Sequence, residues 1–283
     1  MAQDTLRVAL IRDVFYGSGA TARLKAQLRD AKSRGAELAV LPELACNEWR
    51  PWTKEAVEAD AEPLDGPRCA MQAAAAREVG IGLVGAAIIR DETGRRENTA
   101  IVFDAKGERV STYAKIHLPE EPGFWETSHY EPGRRLAPVV SAFGVPFAVQ
   151  ICSDMNRPQA AQIAAAQGAM AILGPRATES RTFERWKPVW IATARTNATY
   201  VLSVDRPGPE HGVLMGQPTI AVDPDGQVLL ETMDSVAVVD IKRSAVEHAR
   251  TTYPGYLARM AELYSEGWAR IGQEAGSETG LLR

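Results

Sequence analysis

The chain has 283 residues, 45% hydrophobic and 24% charged, with 32 basic against 36 acidic side chains for a formal charge of -4. That composition can bury a large core and cover it with mixed charge, which excludes a disordered chain, and with no block of like charge it argues against nucleic acid as a partner. No run of 18 apolar residues reads as a membrane span, no basic segment followed by an apolar stretch reads as a leader, and the three cysteines (Cys46, Cys69, Cys152) are too few for a disulfide framework. A cytoplasmic protein with reduced thiols and no membrane partner is expected.

In chain order, LRVALI predicts a buried strand, and TARLKAQLRDAKSRG a helix with Leu24, Leu28 and Ala31 on one face, stopping at Gly35. ELAVLPE is the next buried strand. This strand–helix–strand order implies a parallel pair with a right-handed crossover, so both strands end at the same edge of the sheet. PRCAMQAAAAREVG reads as a helix, IGLVGAAIIR as a strand, DETGRR as the turn into ENTAIVFD, and AKGER as the turn into STYAKIHL. The long aromatic loop PEEPGFWETSHYEPGRR is a candidate functional element, a surface Ω-loop being the alternative. After the strand VPFAVQIC come the helix RPQAAQIAAAQG and the strand AMAILGP. RGAELAVLPE and QGAMAILGP share the order helix end, Gly-Ala, buried strand, Pro, which suggests two related halves whose strand ends converge on one cleft. The remainder alternates again: a helix around FERWKPVWIATARTNA that Pro188 should bend or break, then TYVLSVD, PTIAVD, the DPDG turn, QVLLET and VAVVDIK. No linker interrupts it, so residues 1–283 are expected to form a single domain.

Glu43, Lys115 and Cys152 each fall at or just past the C-terminal end of a predicted strand, where open α/β sheets place their ligands. A helix N-terminus and a neighbouring ammonium favour a thiolate, which would make Cys152 nucleophilic, and a carboxylate held in the same pocket can be tuned to shuttle protons. Taken singly, a cysteine after a buried strand is more often a core residue, and a Glu or Lys a surface residue. Their shared location is what distinguishes them.

LPE at Leu41–Glu43, YAKIHLPE around Lys115 and VQICSDMNRP around Cys152 resemble, in order, the three signatures of the nitrilase or carbon–nitrogen hydrolase superfamily. GFWETSHYEPG, ARTNATYVLSVDR, VDPDGQVLLET and ARMAELY are similar to the family's later blocks, so the resemblance spans nearly the whole chain. It implies an α/β fold of the four-layer αββα sandwich type and cofactor-free, metal-free hydrolysis of a non-peptide C–N bond. It also implies a homodimer or higher homo-oligomer, with the C-terminal tail, about 250–283, at the interface. By position Cys152 would be the nucleophile and Glu43 the general base and acid. Lys115 and the backbone N–H of Ser153 would stabilise the oxyanion. Alignment through GFWETSHY makes Glu126 the further carboxylate of the catalytic set, orienting Lys115 or the substrate amide, and puts Trp125 beside the substrate. Thiolate attack on an amide carbon builds a tetrahedral oxyanion, which preorganised donors stabilise best.

The chain departs from the family pattern in having Arg157-Pro158-Gln159 after the cysteine where an aromatic residue and Pro-Glu are common, and IRD near the start where a glutamine is usual. Ser-Asp after the cysteine resembles the amidase or N-carbamoyl amide hydrolase branches, nitrile-cleaving members usually carrying Trp-Glu there. The expected partner is a small-molecule amide or N-carbamoyl compound. The competing readings are nitrile hydrolysis on the same triad, a Cys-His hydrolase using His117, and a non-catalytic binding member of the family. Arg157 and Arg176 flank the expected pocket, and a guanidinium grips a carboxylate at two points, so a carboxylate-bearing substrate is one expectation and plain surface exposure of both arginines the other.

Overall fold

The computed structural model describes residues 4–277; the part of the expected interface tail beyond them, 278–283, lies outside the described residues. The first half contains β1 (Thr5–Ile11), α1 (Ala20–Ser33), β2 (Leu38–Val40), β3 (Ala61–Glu62), α2 (Pro67–Val79), β4 (Gly82–Arg90), β5 (Arg96–Phe103) and β6 (Arg109–Ala114). A short hairpin of β7 (Glu120–Glu121) and β8 (Phe124–Trp125) follows. The second half contains β9 (Phe147–Val149), α3 (Pro158–Ala166), β10 (Ala171–Arg176), α4 (Phe183–Asn197), β11 (Tyr200–Asp205), β12 (Thr219–Val222), β13 (Val228–Thr232), β14 (Val236–Lys242), α5 (Arg243–Thr251) and α6 (Ala261–Ser277).

Two sheets result. One runs β14-β1-β2-β4-β5-β6 with β3 alongside β4, the other β13-β12-β11-β10-β9. Alternate residues of a strand face opposite sides, and β1 uses both. Leu6, Val8 and Leu10 join the core shared with Val149, Leu173 and Val204 of the other sheet, whereas Ala9 and Ile11 face α1 and α2 through Leu24, Leu28, Ala75 and Ala76. α3 and α4 cover the second sheet with Ala161, Ala164, Trp190 and Ala194. The layers are therefore αββα. The suspected repeat maps onto equivalent places, β2 lying between β1 and β4 and β10 between β9 and β11.

Two expectations change. α4 is unbroken, with Pro188 inside it, because the missing N–H affects only the first turns while Trp190, Thr193 and Ala194 are packed into the core beyond. VQIC is not strand to its end: β9 stops at Val149, a 3₁₀ turn spans Cys152–Asn156, and α3 starts only at Pro158. The nucleophile candidate therefore occupies a tight turn and not the first turn of an α-helix. Among the described residues no helix is long and apolar enough to cross a membrane.

Candidate active site

Five strand ends meet at one place. Glu43 follows β2, Lys115 follows β6, Cys152 follows β9, Ala177 follows β10 and Arg206 follows β11. The long loop after the β7–β8 hairpin returns Glu126 into the same core, so this segment is no surface loop at that residue.

Lys115 is fully buried and is the hub. Its Nζ donates to Glu43 Oε1 at 2.7 Å and to Glu126 Oε1 and Oε2 at 2.7 and 2.8 Å. Glu43 Oε1 also accepts from Asn98 Nδ2 at 2.7 Å, and Oε2 from the Ala177 N–H at 2.9 Å. Burial alone pulls an ammonium down, but Glu126 and Glu43 outweigh it and hold Lys115 well above the usual lysine range. Burial, opposed by Lys115 and reinforced by Glu43, pushes the Glu126 carboxyl up to about 8. One ammonium between two carboxyl groups, one of them raised to about 8, gives this dry cluster a place to hold or release a proton near neutral pH.

Cys152 is 3% exposed and its Sγ lies 3.5 Å from the Ala177 carbonyl, so the Ala177 peptide touches Glu43 with its N–H and the thiol with its oxygen. Burial and the Glu43 carboxylate push the thiol well above its usual range, against the pull of Lys115. This corrects the expectation of a resting thiolate. With no α-helix start at the thiol and a carboxylate nearby, the resting group is a thiol, and nucleophilic attack requires a base to take its proton.

Two residues here have left-handed backbone, Leu44 at φ 47° and Cys152 at φ 49°. Such positions cost about 1–3 kcal/mol and persist only when surrounding contacts enforce them. Arg206 does so for Leu44. Fully buried between the rings of Tyr16 and Trp49, it donates to the carbonyls of Glu43 (3.3 Å), Leu44 (2.7 Å) and Asn47 (2.8 Å) and forms a two-point pair with Glu210 (2.8 and 2.9 Å). At the nucleophile turn, Gly174 of β10 makes the room, since a Cβ there would collide with Met155 Sδ.

Cys152 and Ser153 open onto a pocket of about 370 Å³ walled also by Phe124, Ala177, Thr178 and Trp186. Trp125, Arg157 and Arg176 are not on that wall. Trp125 points to the other side of the hairpin from Phe124, with Lys54 Nζ 4.1 Å above its ring. Arg157 is exposed at the start of α3. Arg176 is fully buried, its guanidinium 4.6 Å from the Trp190 ring centre and donating to the Pro218 carbonyl. The arginine on the wall is Arg185, exposed and, among the described residues, without a hydrogen bond or ion pair, while Glu179 beside it is matched by Arg181 at 2.7 Å and Glu121 is exposed to solvent. His117 turns its Nδ1 to Asp154 at 2.7 Å.

Asn98, Asp154, Arg185 and Arg206 carry parts of this arrangement that were not singled out as site residues. Asp154 and Arg206 lie within the motifs around Cys152 and ARTNATYVLSVDR, whereas Asn98 and Arg185 lie outside the motifs.

A family model described as carbon-nitrogen hydrolase matches residues 18–251. A hydrolase of Schizosaccharomyces pombe is 30% identical, with 87% of this chain and 78% of the relative covered, and the omega-amidase of Homo sapiens is 28% identical with 84% and 88% covered. Among solved structures, a carbon-nitrogen hydrolase from Helicobacter pylori superposes with a TM-score of 0.84 at 21% identity over 93% of this chain and 98% of that one. An amidase from Nesterenkonia sp. gives 0.76 at 24% identity over 94% and 97%. At these identities the structural likeness is one of fold.

Proposed function

The chain belongs to the carbon–nitrogen hydrolase family and is an enzyme of it, and from that premise we propose that it cleaves the C–N bond of a small amide or N-carbamoyl compound through a thioester on Cys152. The observation that carries the reading is the buried Glu43–Lys115–Glu126 cluster bridged by the Ala177 peptide to a thiol that opens on a pocket. Glu43 takes the thiol proton as Sγ attacks the carbonyl carbon. The oxygen becomes negative and is met by Lys115 Nζ and the Ser153 N–H. Collapse expels the amine, which leaves with the proton Glu43 returns, and Glu43 then deprotonates the water that releases the acid. Glu126 supports this by keeping Lys115 charged and aimed. Incubation with a panel of amides, carbamoyl compounds and nitriles, reading ammonia and intact mass, tests it: amides turned over through an acyl adduct support the reading, and nitriles alone turned over refute it. A His117 base is not favoured, because the groups that act on the Cys152 thiol are Glu43, Lys115, Glu126 and the Ala177 carbonyl, and His117 is not among them.

The substrate we propose bears a carboxylate away from the scissile amide, read by Arg185 in place of the arginines expected from the sequence. The support is an uncommitted guanidinium on the wall of the Cys152 pocket, suited to a planar two-point grip. Arg185→Ala is expected to lower kcat/KM for an anionic amide by about 1.5–3 kcal/mol relative to its neutral analogue, the range for hydrogen bonds to charged groups. Equal losses on both substrates would sink the idea.

The assembly we propose is a homodimer through the C-terminal segment. Tyr264, Trp268 and Ile271 form an exposed stripe on α6, beside a groove of about 700 Å³ shared with Ile163 of α3, and an apolar surface of that kind is a typical interface. Light scattering should give twice the chain mass of 30.7 kDa, falling to the single mass in Trp268→Glu. A parent protein already at the single mass refutes the dimer.

A further inference from the structure

One carboxylate joins the nucleophile turn to the strand end that carries Lys115. Asp154 is 1% exposed. Its Oδ1 accepts from the backbone N–H of Ile116 at 3.2 Å and of His117 at 2.9 Å and meets His117 Nδ1 at 2.7 Å, while Oδ2 accepts from Tyr113 Oη at 2.7 Å. Next to it, Ser153 Oγ donates to the His117 carbonyl. Tyr113, Ile116 and His117 all flank Lys115 in the chain. A carboxylate is costly to bury unless its oxygens are matched, and here every one of its partners belongs to the same short segment.

The oxyanion assigned above is met by two donors from different segments, Lys115 Nζ at the end of β6 and the Ser153 N–H in the turn after β9. Neither strand fixes their separation, because β6 and β9 lie in different sheets. We propose that Asp154 is the positioning residue that sets the spacing of these two donors, so that it acts on oxyanion stabilisation and not on the reactivity of the thiol. This rests on the roles given to Cys152, Lys115 and Ser153 under the proposed function. If those roles are wrong, the parent protein forms no acyl-Cys152; if only the present inference is wrong, the parent acylates normally and the variants give the wrong pattern.

The test compares amide hydrolysis with alkylation of Cys152 by iodoacetamide, a displacement that builds no oxyanion. Asp154→Ala removes every acceptor and is expected to lower kcat by about 10²–10³-fold, the usual cost of one lost oxyanion donor, with KM little changed. Asp154→Asn keeps an oxygen for the two backbone N–H groups and can reverse the bond to Tyr113, so it should regain roughly tenfold or more of that loss. Both variants should alkylate Cys152 within about threefold of the parent rate, since thiolate availability is unchanged. The inference is overturned by a kcat in Asp154→Ala close to the parent's, or by alkylation that falls in step with kcat. Should Asp154→Ala fail to fold, Asp154→Asn decides alone: a kcat reduced at unchanged alkylation supports the inference, and any other result removes it.

Discussion

Replacing Cys152 by alanine is expected to abolish amide hydrolysis, a fall of about 10⁴-fold or more as for other covalent nucleophiles, and to leave the fold intact. The side chain contributes little to packing beyond its own sulfur, which lies 3.5 Å from the Ala177 carbonyl, and alanine meets the left-handed φ of 49° with no more strain than cysteine. The other two thiols serve as internal controls. Cys46 and Cys69 are buried and neither lines the pocket of Cys152, so neither is placed to meet a substrate there. Ammonia release and intact mass after an acid quench with substrate provide the check. An acyl adduct on the parent and none on Cys152→Ala is the expected pair, and activity lost in Cys46→Ala or Cys69→Ala but kept in Cys152→Ala would show that the wrong nucleophile was chosen.

Glu43→Gln should lower kcat by about 10²–10⁴-fold or more, because the one carboxylate serves successive proton transfers and an amide cannot carry a proton in any of them. Lys115→Ala should cost as much activity and also stability, which separates the two roles. Without the ammonium, Glu43 and Glu126 face each other in a dry core, and removing one partner of a buried charge cluster costs about 3–5 kcal/mol. The sign with pH follows. Burial and Glu43 already raise Glu126 from 4.5 to about 8, and loss of Lys115 raises it further, so the folded variant holds its carboxyl protons more tightly than the unfolded chain does. Parent and variant both lose stability as pH rises from 4.5 towards 8, so the variant's deficit is level below about 8 and grows above it, where the parent's Glu126 has released its proton and the variant's has not. Urea midpoints at pH 7 and pH 9.5 measure this, and equal deficits at the two values would contradict it.

The triad was legible because each member follows a strand, buried for Glu43 and Cys152 and half-exposed for Lys115, and strand, turn and motif are all local properties of the chain. What supports the triad was not. Asp154 stands in the Cys152 motif, but its partners Tyr113, Ile116 and His117 stand about forty positions earlier, and nothing local shows that they meet. Arg206 looks like a solvated arginine after a strand until the Glu43 turn is folded against it. Proximity to the nucleophile in sequence also proved a poor guide to the pocket. Arg157 is close in the chain but turned to solvent, and Arg176 ends a central strand and is drawn under Trp190, whereas Arg185 reaches the wall because it begins a helix that leans over the turn. Side-chain alternation in an unrecognised hairpin explains why Phe124 and not Trp125 lines the site.

The register of the first strand has a consequence for the order in which the molecule can be made. β1 pairs along its whole length with β14, the last strand, and the Glu43 turn depends on a guanidinium 162 positions further on at Leu44. Synthesis proceeds from the N-terminus, so the segment that supplies the proton shuttle emerges early and stays without its clamp until Arg206 has left the ribosome. Its sheet stays open at β1 until residue 242 follows. An exposed edge of apolar strand invites pairing with other chains, and contacts this distant in sequence close slowly. The nascent chain thus carries an unprotected edge strand until β14 has followed β1, and catalytic competence needs segments from both halves.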